Sequence, residues 1–253
     1  MTLPDDVTVV IAARNEEATV GSVIKSCTPY ARQVLVVVDR RTTDATVERA
    51  TSAGARVLID AGLGKGQAMR QAIPQIQTAV TVFIDADGSH DCRDIPSVVR
   101  PIVAGSADHV SASRLRGGSS ELHGGFDEFF RLAGSSLITA CINRRFRVRL
   151  SESQNGFRAI RTDVLRDLHL RSDSTTIEQE MIIRTLGLGY RMAEVPSHEH
   201  ERVAGTSNIS LRRVALRYVW SAFSHLYLTP YPARSEAVAP STLDVRGRRH
   251  ARR

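Results

Sequence analysis

The residues able to do chemistry stand at the ends of apolar runs. Residues 85–91 read DADGSHD and follow the run VTVFI, so Asp85, Ala86 and Asp87 fall where the chain would leave a sheet. Two carboxylates this close can share a hard divalent cation such as Mg²⁺, whose remaining positions suit phosphate oxygens of a substrate. The run is no EF-hand loop, because glycine stands fourth and Pro96 twelfth, where such a loop needs glycine sixth and glutamate twelfth. A hydrolytic metal pair on Asp85, Asp87, His90 and Asp91 also fits the residue types. So does a plain turn whose aspartates cap the next helix. GLGKGQAMRQA at 62–72 sets three glycines around Lys65 between a strand-like run and a helix-like one, which would let backbone amides approach an anion at a helix N-terminus. It is not a Walker A loop, since Gly66 follows Lys65 and Ile59 stands where the first glycine belongs. A simple strand-to-helix turn explains it equally well.

AARNEEATV at 12–20 joins another strand to a helix, with Asn15 as candidate N-cap and Glu16 and Glu17 complementing the helix dipole. Capping does not explain Arg14, or Asp39 in VVVDRRTTDAT. Charged side chains at neighbouring strand ends point to a ligand.

The elements that must position these groups are legible as β-branched runs at 7–13, 33–39, 55–60, 79–87 and 107–113, separated by segments of helical length. Repeated βα units predict an α/β nucleotide-binding fold, its parallel sheet buried on both faces and its ligand crevice beyond the carboxyl ends of the strands. The second half is less regular, with a glycine-rich stretch at 116–126, a helix near 128–143, a strand at 155–161 and a helix at 177–186. Residues 1–232 are expected to form one domain, with a nucleotide and metal half to residue 115 and an acceptor half after it. Residues 233–253 read as a flexible basic tail.

Composition excludes several classes. Hydrophobic residues at 42% and charged residues at 24% describe an ordinary globular chain. No apolar run approaches the roughly 18 residues a membrane span needs, and the N-terminus lacks the pattern of a secretory signal, so a cytoplasmic protein is expected. Cys27, Cys92 and Cys141 form no CxxC pair and read as buried thiols. The net charge of +7 hints at an anionic partner, but residues 233–253 hold six arginines against Glu236 and Asp244, which accounts for more than half of it. No nucleic acid is expected. The distant alternative is a non-catalytic, arginine-rich anion-binding protein on the same fold.

Taken in order, the segments are similar to the motifs of the family 2 glycosyltransferases, and within them the polyprenyl-phosphate sugar transferases typified by dolichyl-phosphate mannose synthase. AARNEE resembles that family's PAYNEE, VVVDRRTTDAT its VDDGSTDGT and DADGSHD its DADxQHDP. GKGQAMRQAI is similar to its glycine-rich loop and ASR at 112–114 to its GSR. ESQNGFRAIR resembles its DxxxGFRA, IEQEMIIRTLGLGYRMAEVP its FEIEMLxRAxxxGYxxxEVP, and ERVAGTSN at 201–208 its ERxxGxSK. The resemblance implies a GT-A fold, a donor that is a GDP- or UDP-linked sugar, Mg²⁺ or Mn²⁺ as cofactor, and inversion at the anomeric carbon. It assigns Ala12, Ala13, Arg14, Glu16 and Asp39 to the nucleoside, Lys65 to the donor loop, Asp85, Asp87 and Ser89 to the metal, and Arg114 and Arg202 to phosphates. Arg14, Arg40, Ser89, Glu152 and Asn208 depart from the family's residues, which leaves the base and the phosphate grip open.

The acceptor decides what further chemistry is needed. A phosphate monoester, with a second pKa near roughly 6, is largely a dianion at neutral pH and attacks without a base, whereas a hydroxyl needs one. Glu178 aligns with the base position of hydroxyl-glycosylating relatives; equally, Thr175 and Glu178 spell a capping box. The acceptor is expected to be a lipid phosphate, which would bring the protein to the inner face of a membrane. The runner-up is a hydroxyl or a small phosphorylated compound, as in glucosyl-3-phosphoglycerate synthase. HEHER at 198–202 offers His198 and His200 on one side, as metal ligands or as surface histidines. NRRFRVR at 143–149 is a solvated face or a patch for anionic headgroups. The helix expected over 209–228 carries Trp220, Phe223, Leu226 and Tyr227 away from a polar stripe, for packing on the domain or for a membrane interface.

Overall fold

The computed structural model describes residues 3–120, 126–201 and 211–231. In chain order the elements are β1 (Val7–Ala13), α1 (Val20–Cys27), β2 (Gln33–Val38), α2 (Thr46–Ser52), β3 (Arg56–Ile59), α3 (Lys65–Ala72), β4 (Val80–Asp85), α4 (Ile95–Val103), β5 (His109–Ser113) and α5 (Arg114–Gly117). After these come α6 (Phe126–Phe146), β6 (Arg158–Arg161), α7 (Thr162–Asp167), α8 (Ile177–Gly187), β7 (Met192–Pro196) and α9 (Leu211–Phe223), which runs on into a π turn at Ser224–Leu228.

The strands form one sheet in the order β3-β2-β1-β4-β6-β5-β7, parallel except for β6, which pairs antiparallel with both β4 and β5. Alternate side chains of the central strands enter two different cores. Val7, Val9 and Ile11 of β1 pack with Val23 and Ile24 of α1 and Val98 and Val99 of α4 on one face. Val10 packs with Met69 of α3, Leu165 of α7 and Met181 of α8 on the other. Both faces being covered, these strands read as continuous apolar runs, and each fully buried valine or isoleucine is worth about 1.5–3 kcal/mol. A third, smaller core joins α6, α8 and the end of α9 through Ile138, Ile142, Ile182, Ile183 and Leu226.

Five of the six expected strands match within a residue or two, and the sixth shrinks to Arg158–Arg161 because residues 155–157 bend into the site. The edge strand β7 is additional. It is half-exposed and ends in a proline, so it lacks the buried apolar alternation that marks the others. Asn15 is not the N-cap of α1: the helix starts four residues later behind Thr19, and Asn15 sits at φ 55° with its side chain on another loop. All three cysteines are free, Cys27 and Cys92 buried with their sulfurs 2.9 Å apart and Cys141 half-buried.

Candidate active site

The strand order reverses between β1 and β4, and a ligand crevice is expected above the carboxyl ends at such a point. A cleft of about 320 Å³ lies there. It is bordered by Ala12, Ala13, Arg14 and Glu16 at the end of β1, Asp39 after β2, Lys65 at the start of α3, and Asp85, Ala86 and Asp87 at the end of β4. The residues that the resemblance assigned to the nucleoside, together with Lys65, Asp85 and Asp87, therefore border one cavity. Arg41, Asp60 and Thr175 line it too and were not singled out as ligand contacts.

The nucleoside end is built from two loops laced together. Asn15 Oδ1 accepts the Thr43 N–H at 2.9 Å, Thr46 Oγ1 accepts the Glu16 N–H at 2.7 Å, and Glu17 Oε2 accepts the Ala45 N–H at 3.0 Å. Asp39 accepts the backbone N–H of Arg41 at 2.8 Å and its Nη2 at 2.6 Å, and Arg41 holds the Asp39 carboxyl below the usual carboxylate range. Beside it, burial lifts Asp60 above that range.

At the other end Lys65 Nζ donates to Asp85 Oδ1 at 2.5 Å and to Glu178 Oε1 at 2.6 Å. Burial alone would lower the lysine, but the two carboxylates outweigh it and lift its pKa above the ordinary value. Burial would likewise raise Asp85, yet Lys65 and His90 hold it well below the usual range. His90 Nε2 lies 3.7 Å from Asp85 Oδ2, with its ring against Phe157. Gly156 closes the far side: a Cβ there would stand 2.4 Å from Asp85 Oδ2 and 2.9 Å from Lys65 Nζ. Beneath them Arg158 is fully buried and donates from Nη1 to the Glu178 carbonyl at 2.8 Å. It is a fixed positive charge under a group of carboxylates. Burial pulls its pKa down, while Glu178, Asp85 and Glu152 pull it back up.

Asp87 borders the cleft, and Ser89 does not. The Ser89 hydroxyl and N–H both donate to Asp87 Oδ1, at 2.7 and 3.1 Å, so this serine orients the carboxylate. Two carboxylates facing a cleft that also holds arginine and lysine suit a hard cation completed by phosphate oxygens and water. Among the described residues no group of three or more His, Cys, Asp and Glu converges on a metal position, which gives no support to a protein-only hydrolytic pair. The HEH segment runs along the DADGSHD loop: His200 N–H donates to the Ser89 carbonyl at 2.8 Å, and Glu199 bridges to His90. His198 is spent on Ser120 Oγ at 2.8 Å.

Two expectations are corrected here. Two amides of the glycine loop are not open to an anion, because Gly66 and Gln67 N–H both donate to the Asp173 carbonyl, at 2.8 and 3.2 Å. Gly66 permits that approach, since a Cβ would fall 2.3 Å from the Ser172 carbonyl oxygen. Glu180, fully buried, holds the incoming segment by accepting the N–H groups of Arg171 and Ser172. Nor do Thr175 and Glu178 form a capping box. No side chain caps α8 at Thr176, and the Glu178 carboxylate points to Lys65 instead. Arg114 stands beside the cleft without lining it, clamped by Glu152 at 3.1 Å and Glu199 at 2.8 Å. Arg202 lies outside the described residues, as does the 233–253 tail.

Comparison with known proteins decides the family. The glycosyl transferase family 2 model matches residues 8–168. The chain belongs to that family. This glycosyltransferase is 30% identical over 208 residues to the dolichyl-phosphate hexose transferase of Haloferax volcanii, an alignment covering 80% of this chain and 86% of that one. It is 28% identical over 207 residues to glycosyltransferase AglJ of the same organism, covering 81% and 67%. Among solved structures it resembles Mycobacterium tuberculosis glucosyl-3-phosphoglycerate synthase in complex with Mn²⁺, uridine diphosphate and phosphoglyceric acid, with a TM-score of 0.68, 23% identity, and coverage of 88% and 79%. The fold is GT-A, as the motif series implied.

Proposed function

We infer that this glycosyltransferase moves a sugar, with inversion, from a nucleoside-diphosphate sugar to the phosphate of a polyprenyl lipid. The observation that carries the reading is Lys65, whose ammonium engages Glu178 Oε1 at 2.6 Å and so gives that carboxylate a charge partner within the protein. A hydroxyl acceptor would need a free base at this position, whereas a phosphate dianion would not. Similarity to a dolichyl-phosphate hexose transferase over most of both chains supports the same acceptor.

Asp85 and Asp87 would hold Mg²⁺ or Mn²⁺ together with the donor diphosphate, and the ion would supply charge neutralisation on the departing oxygens. Arg14 and Arg41, both at the cleft wall, suit the nucleotide end of a GDP- or UDP-linked donor, and Asp39 is oriented by Arg41 to accept from a ribose or base. Ser89 fixes the Asp87 carboxylate, and the buried Arg158 offsets the negative charge collected by Asp85, Glu178 and the arriving phosphates. Arg114 acts from beside the cleft, and releasing it from Glu152 or Glu199 would free it for the acceptor phosphate. Arg202 belongs to the same phosphate assignment through its motif.

A second reading has its own support, since the structural likeness runs to an enzyme solved with phosphoglyceric acid, a water-soluble phosphorylated acceptor. Glu178→Gln, assayed with UDP- and GDP-sugars against a short-chain polyprenyl phosphate, phosphoglyceric acid and a hydroxyl acceptor, separates the readings. Retention of turnover on the polyprenyl phosphate within a fewfold is expected. A loss of about 10²-fold or more, together with disappearance of the acidic limb of the pH–rate profile, would assign Glu178 as base and the acceptor as a hydroxyl.

A further inference from the structure

The helix α9 and its π turn have two unlike sides. Inward, Ala222, His225 and Leu226 are buried, and Tyr218 Oη donates to Thr175 Oγ1 at 2.5 Å, on a residue that lines the cleft. Outward, Val219, Trp220, Phe223, Tyr227 and Leu228 are between 46% and 64% exposed. The rings of Trp220 and Phe223 lie 6.1 Å apart and those of Phe223 and Tyr227 5.4 Å apart, so the three form one aromatic ribbon at helical spacing. An apolar strip of this size on a folded surface marks something that covers it.

The surroundings of the ribbon say what does. Arg144, Arg145, Arg147 and Arg149 at the end of α6 are all exposed, and Arg217 joins them on α9. Arg145 stacks over Phe146 at 5.5 Å, and Phe146 meets Tyr231 edge-on at 6.5 Å, which ties the cluster to the chain leaving the π turn. Residues 129–150 and 211–231 contain no aspartate or glutamate. A second copy of the chain packed across a two-fold axis through this patch would bring arginines toward arginines, since these two segments carry no acid of their own. A bilayer containing anionic lipid meets both demands, with a boundary layer for amphipathic rings and phosphates for guanidinium groups.

We propose that the outer face of α9 docks on an anionic bilayer surface, with Trp220, Phe223 and Tyr227 at the level of the headgroups and Arg144, Arg145, Arg147 and Arg149 on lipid phosphates. The proposal deepens the lipid-acceptor reading, on which its importance for turnover rests. The same helix meets the membrane outside and holds Thr175 inside, so a lipid-borne phosphate would arrive at the acceptor side of the cleft.

Trp220 is the single tryptophan of the chain, which makes it a direct reporter. The intact protein is titrated, without donor or acceptor, with vesicles of phosphatidylcholine alone or mixed with phosphatidylglycerol, following tryptophan emission and co-sedimentation. Emission is expected to move to shorter wavelength, and protein to pellet, with the mixed vesicles, and less so at high salt. Phe223→Ser with Tyr227→Ser should weaken partitioning roughly tenfold or more. Each of Arg144→Gln and Arg145→Gln should weaken it roughly fivefold. All four substitutions should leave circular dichroism and turnover on a water-soluble acceptor unchanged. No shift and no pelleting with mixed vesicles would overturn the proposal. So would a concentration-dependent shift without vesicles accompanied by a doubled sedimentation mass, which would assign the face to a second copy. Turnover on short-chain polyprenyl phosphate without vesicle binding would remove the docking face alone, and vesicle binding without such turnover would remove the acceptor reading alone.

Discussion

The chain up to β5 and the chain after it contribute to one cleft by different means. In the first part each contact stands at a strand end or the start of the next helix, and pairing register sets it in place: Ala12 lies beside Asp85 and Ala13 beside Val38. In the second part residues arrive by insertion. β6 enters antiparallel between β4 and β5, which brings Gly156 against Asp85, and α8 carries Glu178 to a lysine 113 residues earlier. One half is positioned by backbone geometry and the other by charge pairing across the fold. Substitutions in the first should therefore remove a contact, while substitutions in the second should disturb several groups together.

The sharpest test is Asp87→Ala. It should abolish metal-dependent donor binding while the protein stays folded, its melting temperature lowered by only a few degrees, because the stability lost is that of the hydrogen bonds Asp87 accepts from Ser89. Calorimetry with a nucleoside diphosphate and Mn²⁺ measures this, and undiminished affinity would remove Asp87 from the metal site.

Next is a pair of glycines. Gly66→Ala sets a methyl 2.3 Å from a carbonyl oxygen at the junction of the two halves, and should cost about 1–3 kcal/mol together with donor affinity. In Gly21→Ala the new methyl meets nothing nearer than 3.9 Å within α1, so stability should rise by up to about 1 kcal/mol. Equal effects in denaturant titrations would mean that the 171–174 segment does not pin the glycine loop.

Lys65→Met follows, and its signature is in the pH dependence. Asp85 is held below the usual carboxylate range, so its contribution to stability is complete above about pH 4 and is lost as the pH falls toward its folded pKa. Lys65 is lifted above its ordinary value, so its contribution is complete below about pH 10.4 and is lost as the pH rises through its folded pKa. Lys65→Met should cost about 2 kcal/mol at pH 7, less than a fully buried pair because the cleft is open to water. It should also flatten both the acid and the alkaline limbs of the melting curve. Limbs that match the wild type would show that the lysine is not what holds Asp85. The smallest effect is expected from truncation after Ala233, which should leave turnover on a water-soluble acceptor unaltered; a large fall in kcat there would bring the tail into the site.

The legibility of the site follows the same division. Asp85, Asp87, Asp39 and Arg14 could be found because a parallel strand buried on both faces writes itself as a β-branched run, and the residue after the run must then face the crevice. Arg41 was missed although only three residues beyond β2, since nothing in DRRTT says which arginine folds back on Asp39. Arg158 was hidden in a strand-like stretch, where an arginine ordinarily signals a solvent-facing position and here signals a charge buried beneath carboxylates.

By itself the sequence determined the α/β architecture, the strand ends that carry the donor-side groups and the family, because alternation and motif order are local properties of the chain. Only the tertiary structure decided that the Gly66 and Gln67 amides are already taken by Asp173, that Ser89 serves Asp87, that Arg114 is clamped between two glutamates, and that Glu178 turns toward Lys65 instead of capping its own helix. Each of these is a choice among competing partners for a polar group. A buried polar group must be satisfied by whichever partner the packing brings within about 3 Å, and that partner is set by the fold and not by nearness along the chain.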